Sequence, residues 1–533
     1  SPSSTVVIGV DSKGRDWQTA GYWAGLRAAS PLGSNDGYNF LRVSRPAPFG
    51  FRYWEVGNES YGSWENDQHG VAGSGLTGVV HDPYTYAQSF KQFRDAMLAV
   101  DPTVEIGAPV VTGQDSYGNG THAVPNPNEG GATHSGWTPV VLATLNSLGV
   151  APDFIVHHAY AQGPGSESDA RLLQGTGSFA SDSVKLRQQL NDYVGAALGA
   201  GVEIAITEMN SVYGNPGKQT VSLVNGLYLA DALPSLARTE ITACQWWALR
   251  NSTAAGNNNS ASLYGWRNYG DYGIFASGSV SGTPVNTPFP SYYALKLLTH
   301  WGRGGDTVMA TASDYSNLTI HAARLADGAL SLLVVNKNPT ADLNAQITLN
   351  GFVPGAATAS VWSYGKANDL ANADLAATTI TNAAPTFTHT FPSYSMTAIV
   401  LAKPLTALEA WRFANFGTTL NAGSAADNAD PDHDGMKNVL EYWLVSPPLT
   451  QSAGALPVLA KTAGGYTFTY TRRVSAASAT YRVEDSDELL TWRDAGGTSA
   501  SLGILGDAET VRLTSPTGVS KRFFRLRILA GDP

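Results

Sequence analysis

The sequence predicts an α/β fold, a (β/α)8 TIM barrel, followed by an antiparallel β-sandwich and a small C-terminal β module. Residues 1–303 alternate short apolar runs with helical patterns, and this βαβα order predicts a parallel sheet. The apolar runs are almost continuous, which is typical of parallel strands covered on both faces. Residues 304–404 instead show short alternating strands separated by turn residues, which predicts an antiparallel sandwich.

Two further segments complete the predicted organisation. Residues 405–447 contain helical patterns on either side of an acidic loop, and we interpret them as a calcium-loop helical linker. Residues 448–533 are again rich in short strands and form the C-terminal β module. Two consecutive prolines, Pro447 and Pro448, and the Ser/Gly/Ala-rich stretch after them mark the junction.

The barrel segment contains six strand candidates, each short and rich in valine, isoleucine or aromatic residues. They are Thr5–Val10, Phe51–Val56, Val104–Val111, Phe154–His158, Val202–Thr207 and Thr242–Leu249. The helix candidates are Trp17–Ala29, Tyr84–Val100, Thr138–Leu148, Ser183–Ala200, Leu223–Arg238 and Tyr292–His300. Long loops after the strands favour a barrel over a doubly wound sheet. No glycine-rich phosphate loop opens any of these helices, which argues against a nucleotide-binding fold.

Composition excludes several classes of function. Only 14% of the 533 residues are charged, the net charge is −10, and no basic stripe is present, so nucleic acid is not an expected partner. A single cysteine, Cys244, excludes an intrachain disulfide and a cysteine-based metal site. No apolar run reaches the roughly 18 residues that a membrane span needs. The polar, weakly charged composition suits a neutral, hydroxyl-rich ligand, and we expect a secreted or cell-surface bacterial protein.

Two glutamates follow strand candidates in the barrel segment. Glu59 follows Asn58 near the end of "YWEVGNES", and Glu208 lies in "VEIAITEMNS" before Asn210. The carboxyl ends of barrel strands converge at one mouth, so we expect these carboxylates to lie close together. Paired carboxylates are what glycoside hydrolysis requires, because one protonates the leaving oxygen while the other attacks the anomeric carbon or activates water. The alternative is that each carboxylate only caps or stabilises a loop.

The motif "YWEVGNE" followed by "ITEMN" resembles the retaining glycoside hydrolases of clan A. The stretches "DGYNFLRVSRPAPFGFRYWEVGNE" and "DPYTYAQSFKQFRDAMLAVDPTVEIGAP" resemble most the α-L-arabinofuranosidase family of that clan, and the resemblance extends over about residues 5–403. It implies that Glu59, after barrel strand 4, is the acid/base and that Glu208, after strand 7, is the nucleophile. It also implies that Asn58 holds the 2-hydroxyl of the sugar. That family usually has Asp-Glu-Trp where this chain has Thr207-Glu208-Met209.

The resemblance also sets the strand count. With Phe51–Val56 as strand 4, the next three candidates become strands 5, 6 and 7, and only Thr5–Val10 precedes them. We therefore expect the first two barrel strands to be absent from a chain truncated at its N-terminus. As the acid/base, Glu59 needs a raised pKa to be protonated near neutrality.

The segment "FIVHHAY" supplies further candidates for the site. Because side chains alternate along a strand, His157 and His158 cannot both point inward. We favour His158 together with Tyr160, which has the same parity, and the resemblance implies that Tyr160 donates a hydrogen bond to the nucleophile. The alternative is that the inward histidine is structural. No His pair at i, i+4 with a carboxylate is present, so a metal is not expected at the site.

Aromatic residues predict sugar contacts on the later loops. We expect one of Trp246 and Trp247 in "QWWALRN" to face the sugar while the other packs under a helix. The loop 261–273 carries Trp266 and the tyrosines 264, 269 and 272 above the barrel mouth, either as sugar subsites or as a self-packed loop. We expect Glu55 and Glu203 to be structural.

The stretch "DPDHDGMKNVLE" at 430–441 matches the calcium-loop pattern D-x-[DN]-x-[DN]-G-x5-E in full. The pattern makes Gly435 the turn residue and predicts a structural Ca²⁺ that rigidifies the junction to the last module. A solvated acidic turn is the alternative. The predicted ligands, in loop order, are Asp430, Asp432, Asp434, the carbonyl of Met436, Asn438 and Glu441.

The leading functional prediction is a retaining α-L-arabinofuranosidase that acts on plant cell-wall polysaccharide or oligosaccharide without a catalytic cofactor. The alternatives are another clan A glycosidase, a β-xylosidase or endo-β-glycanase, and a non-catalytic carbohydrate-binding protein. An exo-acting enzyme predicts a pocket closed by the loops 60–81 and 113–137, whereas an endo-acting enzyme predicts an open cleft.

Overall fold

The computed structural model describes residues 1–10, 14–65, 82–254, 257–475, 479–515 and 522–529. Its first sheet has five strands, all parallel, whose spatial order follows the order of the chain. This sequential order is that of barrels, whereas a doubly wound sheet reverses its order at a switch point. The strands are β1 (Tyr53–Glu55), β2 (Glu105–Pro109), β5 (Phe154–Gln162), β6 (Glu203–Val212) and β7 (Ile241–Cys244), and a separate ribbon is formed by β3 (Val124–Pro125) and β4 (Thr133–His134).

The parallel sheet is curled, because side chains of strands that are not neighbours meet on its inner face. Thr207 Oγ1 on β6 donates to Glu55 Oε2 on β1 at 3.3 Å. Tyr53 donates its hydroxyl to Glu203 Oε1 at 3.2 Å. Strands β2 and β5 lie between β1 and β6, which on a flat sheet would be about 14 Å apart. The sheet is therefore a half-barrel, and Glu55 and Glu203 help to hold its curvature.

The prediction of a sheet strand at Thr5–Val10 is wrong. Val7 pairs with Thr19 and Val10 with Asp16 only in isolated antiparallel bridges. The two valines are 72% and 67% exposed. Valine-rich sequence becomes a strand only where a neighbouring strand satisfies its backbone groups. The described residues consequently show five parallel strands rather than six, and the eight strands of a closed barrel are not found among them.

The helices that cover this sheet lie close to their predicted positions. Helix α2 begins where Asp82 accepts a hydrogen bond from the Thr85 amide at 2.8 Å, with Pro83 in its first turn. The single helix predicted at Ser183–Ala200 is divided by a π-helical segment, Asn191–Gly195. The bounds are α1 (Ala20–Ala28), α2 (Pro83–Val100), α3 (Trp137–Ser147), α4 (Asp169–Gln174), α5 (Phe179–Leu190), α6 (Ala196–Gly199), α7 (Leu223–Leu236) and α8 (Pro290–Trp301).

The next part of the chain forms the predicted antiparallel layers. A six-stranded sheet has the order β13-β12-β15-β10-β9-β8, and β11 pairs with β14 in a second sheet. The bounds are β8 (Thr307–Met309), β9 (Leu318–Arg324), β10 (Leu330–Asn336), β11 (Leu343–Thr348), β12 (Ala359–Gly365), α9 (Lys366–Ala371), β13 (Ala376–Ile380), β14 (Thr386–Phe391) and β15 (Ser395–Leu401). Strand β10 is buried throughout, because Leu333 and Val335 join the core of α7 and α8 while Leu332 and Val334 face β11 and β14.

The C-terminal part begins with α10 (Ala407–Phe416), whose capping box pairs Thr406 with Glu409. The acidic loop and α11 (Asn438–Leu444) follow, and then two small antiparallel sheets around a core that includes Phe468 and Val511. Their strands are β16 (Val458–Thr462), β17 (Gly465–Arg473), β18 (Thr480–Ser486), β19 (Arg493–Asp494), β20 (Thr498–Leu505), β21 (Ala508–Ser515) and β22 (Phe523–Leu529). Among the described helices, none is long and apolar enough to cross a bilayer.

Candidate active site

The two predicted glutamates lie together at the carboxyl edge of the half-barrel. Glu208 is in the distal half of β6, and Glu59 lies in the turn after β1. One oxygen of each carboxylate and a ring nitrogen of His158 all lie within 4.8 Å of one another. The turn requires Gly57, whose φ is +87° and whose missing Cβ would lie 2.3 Å from Ser60 Oγ. Glu59 itself has a positive φ of 41°, which is uncommon for a residue with a side chain.

His158 bridges the pair. Its Nδ1 is 2.9 Å from Glu59 Oε1 and 3.4 Å from Glu208 Oε2. A bulge in β6 shifts the register between His157 and His158 of β5. Glu208 pairs with His158, and Thr207 is the additional residue of β6 that has no partner on β5. Such a bulge re-aims side chains, and here Thr207 reaches Glu55 while Glu208 reaches β5.

Tyr160 also faces the site, and its hydroxyl donates to Glu208 Oε2 at 2.7 Å. The parity argument that grouped Tyr160 with His158 therefore agrees with their positions. His157 is buried away from the two glutamates, and burial lowers its pKa.

Three aromatic residues at the site were not predicted. Trp64 Nε1 donates to Glu59 Oε2 at 2.5 Å, and the Tyr61 hydroxyl donates to Glu59 Oε1 at 3.3 Å. Tyr117 packs against the Tyr61 ring, with centroids 4.8 Å apart. Trp64 is 50% exposed, so its ring presents a face to solvent beside Glu59. The only signal in the sequence is the aromatic content of "NESYGSW", directly after the motif.

Asn210 does not line the site, which corrects its prediction as a substrate-binding residue. It is fully buried, its amide nitrogen donates to the Trp247 carbonyl, and its Oδ1 accepts from Asn225 at 3.1 Å. A buried amide with these partners cannot turn toward a ligand without leaving them unpaired. Asn58, by contrast, is exposed next to Glu59 and donates to Glu65 Oε1 at 2.9 Å.

The tryptophans of "QWWALRN" lie in different surroundings, Trp246 partly buried and Trp247 more open, and the prediction that one of them faces the sugar stays a prediction. Trp246 packs against Tyr228 on α7, with ring centroids 6.2 Å apart. Trp247 is 41% exposed. Trp266 is 52% exposed, and the Arg267 guanidinium lies 4.1 Å from its ring centroid.

The tyrosines of the 261–273 loop are mostly engaged by the protein. Tyr264 packs edge-on against Tyr394 of the sandwich, and Tyr269 packs near Phe289. The Tyr272 hydroxyl donates to the Val212 carbonyl at 3.0 Å. The self-packed alternative is therefore correct for these three side chains.

The electrostatics of the site do not follow the sequence expectation. Burial alone would raise the pKa of Glu59, but hydrogen bonds from His158 and Trp64 outweigh it and lower that pKa. Burial raises the pKa of Glu208, with the Glu59 charge adding to the effect. Burial opposes protonation of His158, yet its hydrogen bond to Glu59 and the nearby carboxylates raise its pKa. These opposite directions favour a proton on His158 over a proton on Glu59 in the free protein.

Glu55, inside the half-barrel, is expected to make stability depend on pH. Burial raises its pKa to about 7, against an ordinary value of 4.5. Between these values the folded state holds a proton that the unfolded state has released, so the free energy of unfolding falls as pH rises. Urea titrations give the free energy of unfolding of Glu55→Gln minus that of wild type. This difference should be larger at pH 8 than at pH 5 by about 1–3 kcal/mol.

The matched control for this titration is Glu488→Gln, which changes an exposed carboxylate of the C-terminal module. It should follow the wild-type stability at both pH values. An equal stability difference between Glu55→Gln and wild type at pH 5 and pH 8 would contradict the role of Glu55.

The cluster of Glu59, His158 and Glu208 also has the ligand types and spacing for a divalent metal. However, the carboxylate oxygens already accept hydrogen bonds from Trp64, Tyr61 and Tyr160. N–H and O–H donors aimed at the carboxylate oxygens compete with a cation for the same lone pairs. The donors therefore favour carboxylates that work as acid, base or nucleophile over carboxylates that ligate a metal.

No protein-family model and no curated protein sequence matches the chain. Among solved structures, it is similar to the GH51 α-L-arabinofuranosidase of Thermotoga petrophila RKU-1, with 18% identity, 72% of this chain and 73% of that chain covered, and a TM-score of 0.46. A Paenibacillus polymyxa xyloglucanase of glycoside hydrolase family 44 shows 16% identity, 66% coverage of each chain and a TM-score of 0.46. CelM2, a bifunctional glucanase-xylanase from a metagenome library, shows 19% identity, coverage of 74% and 73%, and a TM-score of 0.46. At this level of similarity, these structures assign no activity or substrate to this chain.

Proposed function

We propose that the chain is a retaining glycoside hydrolase that removes α-L-arabinofuranosyl side chains from plant cell-wall polysaccharide. The observation that carries the proposal is the carboxylate pair at the carboxyl edge of the half-barrel, with oxygens of Glu59 and Glu208 within 4.8 Å. Retaining enzymes place their two carboxyl groups about 5–5.5 Å apart, whereas inverting enzymes need about 6.5–9.5 Å for a water. The short separation supports double displacement.

The sequence resemblance assigns a role to each carboxylate, and neighbouring side chains support both groups. Glu208 attacks the anomeric carbon and forms a glycosyl ester, and the Tyr160 hydroxyl, 2.7 Å away, orients it. Glu59 protonates the leaving oxygen and then takes a proton from the water that hydrolyses the ester. His158 Nδ1 lies 2.9 Å from Glu59 Oε1, close enough to pass a proton to the carboxylate, so protonation of one group affects the other.

The choice of sugar rests on the sequence. The stretches around Asn58 and Glu59 resemble the arabinofuranosidase family, and Asn58 is exposed beside the acid/base, where it can hold a 2-hydroxyl. Exposed rings of Trp64, Trp247 and Trp266 offer faces for sugar stacking. The proposal includes a secreted or cell-surface location and catalysis without a cofactor. A β-xylosidase or endo-β-glycanase would use the same carboxylates on another sugar.

The structure describes the loops of the exo and endo alternatives only in part. The loop 113–137 contributes Tyr117 beside Trp64. Residues 66–81 of the other loop lie outside the described residues. The described residues do not distinguish a closed pocket from an open cleft, so exo action on side chains is part of the proposal.

A panel of nitrophenyl glycosides tests the proposal directly. The wild-type chain should release nitrophenol from the α-L-arabinofuranoside, and proton NMR should show that the first sugar product keeps the anomeric configuration of the substrate. Cleavage of a xyloside or glucoside alone would retain the mechanism and change the sugar. An inverted first product would overturn double displacement, and binding without cleavage of any substrate would favour a carbohydrate-binding protein.

A further inference from the structure

The acidic loop 430–441 lies between α10 and the C-terminal β module, far along the chain from the glutamate pair. Oxygens of Asp430, Asp432 and Asp434 lie within 4.8 Å of one another. Gly435 supplies the left-handed turn with a φ of +91°, and its amide donates to Asp430 Oδ2 at 3.1 Å. These contacts fold the loop, but they leave the charge of the three carboxylates uncompensated.

Glu441 provides an independent sign of a missing ligand. Its side chain is fully buried, and both of its carboxylate oxygens lack a hydrogen-bond partner within the described residues. Asp430 Oδ1 and Asp432 Oδ2 are buried and unpartnered in the same way. No lysine, arginine or histidine of the described ranges forms an ion pair with these carboxylates. Since a buried, unpaired carboxylate costs several kcal/mol, the arrangement favours a bound cation.

We propose that this loop binds one Ca²⁺ through Asp430, Asp432, Asp434, the Met436 carbonyl and both oxygens of Glu441. A bidentate carboxylate and an all-oxygen ligand set suit Ca²⁺, whereas Mg²⁺ demands a smaller octahedral shell and keeps its waters. Asn438 was also predicted as a ligand. Its amide nitrogen donates to the carbonyls of Ser424 and Ala426, and its Oδ1 is buried and unpartnered. The role of Asn438 as a ligand stays a prediction.

The ion would join the loop to the C-terminal module. Asp434 Oδ2 accepts hydrogen bonds from the amide and the hydroxyl of Ser452, at 2.9 and 3.0 Å. Gln451 Nε2 donates to the Asp432 carbonyl at 3.0 Å. The segment that leads into β16 is thus attached to two of the proposed ligands, so that ion binding orders it.

The same helix that supplies Glu441 also holds the module from the other side. Arg473 on β17 donates to the Tyr442 carbonyl at 2.8 Å, and its guanidinium lies 4.3 Å from the Tyr442 ring centroid. Tyr481 on β18 donates to the Trp443 carbonyl at 2.9 Å. Because α11 begins inside the loop, Ca²⁺ fixes the helix on which β17 and β18 rest. The role of the ion is therefore the attachment of the module, independent of glycosidase activity.

Calorimetric titration of the EDTA-treated full chain with CaCl2 tests the site. We expect one Ca²⁺ per chain with a dissociation constant of at most about 1 mM, and little heat with MgCl2. At a hundredfold excess over that constant, the unfolding transition of the C-terminal module should rise by about 5 °C or more. No heat and no thermal shift with 5 mM Ca²⁺, or equal effects of Mg²⁺, would overturn the proposal.

Glu441→Gln is the decisive variant. It should weaken Ca²⁺ binding by about 100-fold or more, because it removes the bidentate ligand. In EDTA it should unfold at or above the wild-type temperature, since it also removes a buried charge. Glu488→Gln, the exposed control, should bind as wild type does. Undiminished Ca²⁺ binding by Glu441→Gln, or a lower unfolding temperature than wild type in EDTA, would assign Glu441 a different role.

Discussion

Glu208→Ala is expected to lower kcat/KM on the cleaved nitrophenyl glycoside by about 10⁴-fold or more, because it removes the proposed nucleophile. Glu59→Ala should lower kcat by about 10²–10⁴-fold, the usual contribution of general acid–base catalysis, while its kcat/KM falls much less. The nitrophenolate leaving group needs little protonation, so the glycosyl-enzyme should still form in Glu59→Ala. Its slow step becomes the attack of water without a base.

Azide separates the two roles. In Glu59→Ala, azide needs no base and should attack the glycosyl-enzyme, which restores turnover and yields a glycosyl azide of retained configuration. In Glu208→Ala, azide can only replace the missing nucleophile, which yields the inverted azide. The configuration of the azide therefore identifies each residue by its chemistry, whichever direction its pKa takes in the free protein.

The control for the carboxylate pair is Glu488→Gln, which changes an exposed carboxylate of the C-terminal module. Its activity should stay within about threefold of wild type, as for changes away from the reacting groups. Azide products of the reverse configuration would show that Glu59 is the nucleophile and Glu208 the acid/base. The lowered pKa of Glu59 and the raised pKa of Glu208 favour that exchanged assignment. Alanine variants that keep wild-type activity would show that neither carboxylate takes part in the reaction.

The parts of the site that sequence could predict are those that periodicity controls. Glu208 lies in a strand, and two-residue alternation places His158 with Tyr160 on one face of β5. Burial of Asn210 could not be predicted from alternation, because Asn210 has the parity of Glu208 and is held instead by the Trp247 carbonyl and Asn225. The contact of Trp64 with Glu59 depends on a turn with positive φ angles, which no periodic pattern encodes.

The fold shows the same limit. The five strands of the parallel sheet coincide with predicted apolar runs, and each has a partner on the sheet. Thr5–Val10 has the composition of a strand but makes only isolated bridges, since strand formation is decided by the neighbour that satisfies the backbone. Composition therefore predicts where a strand can form, and the neighbouring strands decide whether it does.

Lys337→Met is expected to destabilise the protein by about 3–5 kcal/mol, since it would leave a buried carboxylate with one cationic partner fewer. Asp231 on α7 is 1% exposed, and Lys337 and His321 both lie 2.8 Å from its oxygens. The hydroxyls of Thr176 and Thr319 also donate to it, each at 2.6 Å. Burial opposes ionisation, but His321 and Lys337 outweigh it and hold the pKa of Asp231 well below its usual range.

The exposed pair of Lys296 and Asp374 provides the matched control. The two side chains are 38% and 61% exposed, and Lys296→Met should cost less than about 1 kcal/mol because solvent already screens the charges. The Asp231→Asn/Lys337→Met double variant should lose less than the sum of the single changes, because the uncompensated charge is gone. Urea unfolding of the wild type, the three single variants (Lys337→Met, Lys296→Met and Asp231→Asn) and the double variant measures these differences. If Lys337→Met lowers the free energy of unfolding no more than Lys296→Met does, the buried network does not hold α7 against the sandwich. If it lowers that free energy by several kcal/mol more, α7, the helix that packs behind β6, depends on the sandwich for its position.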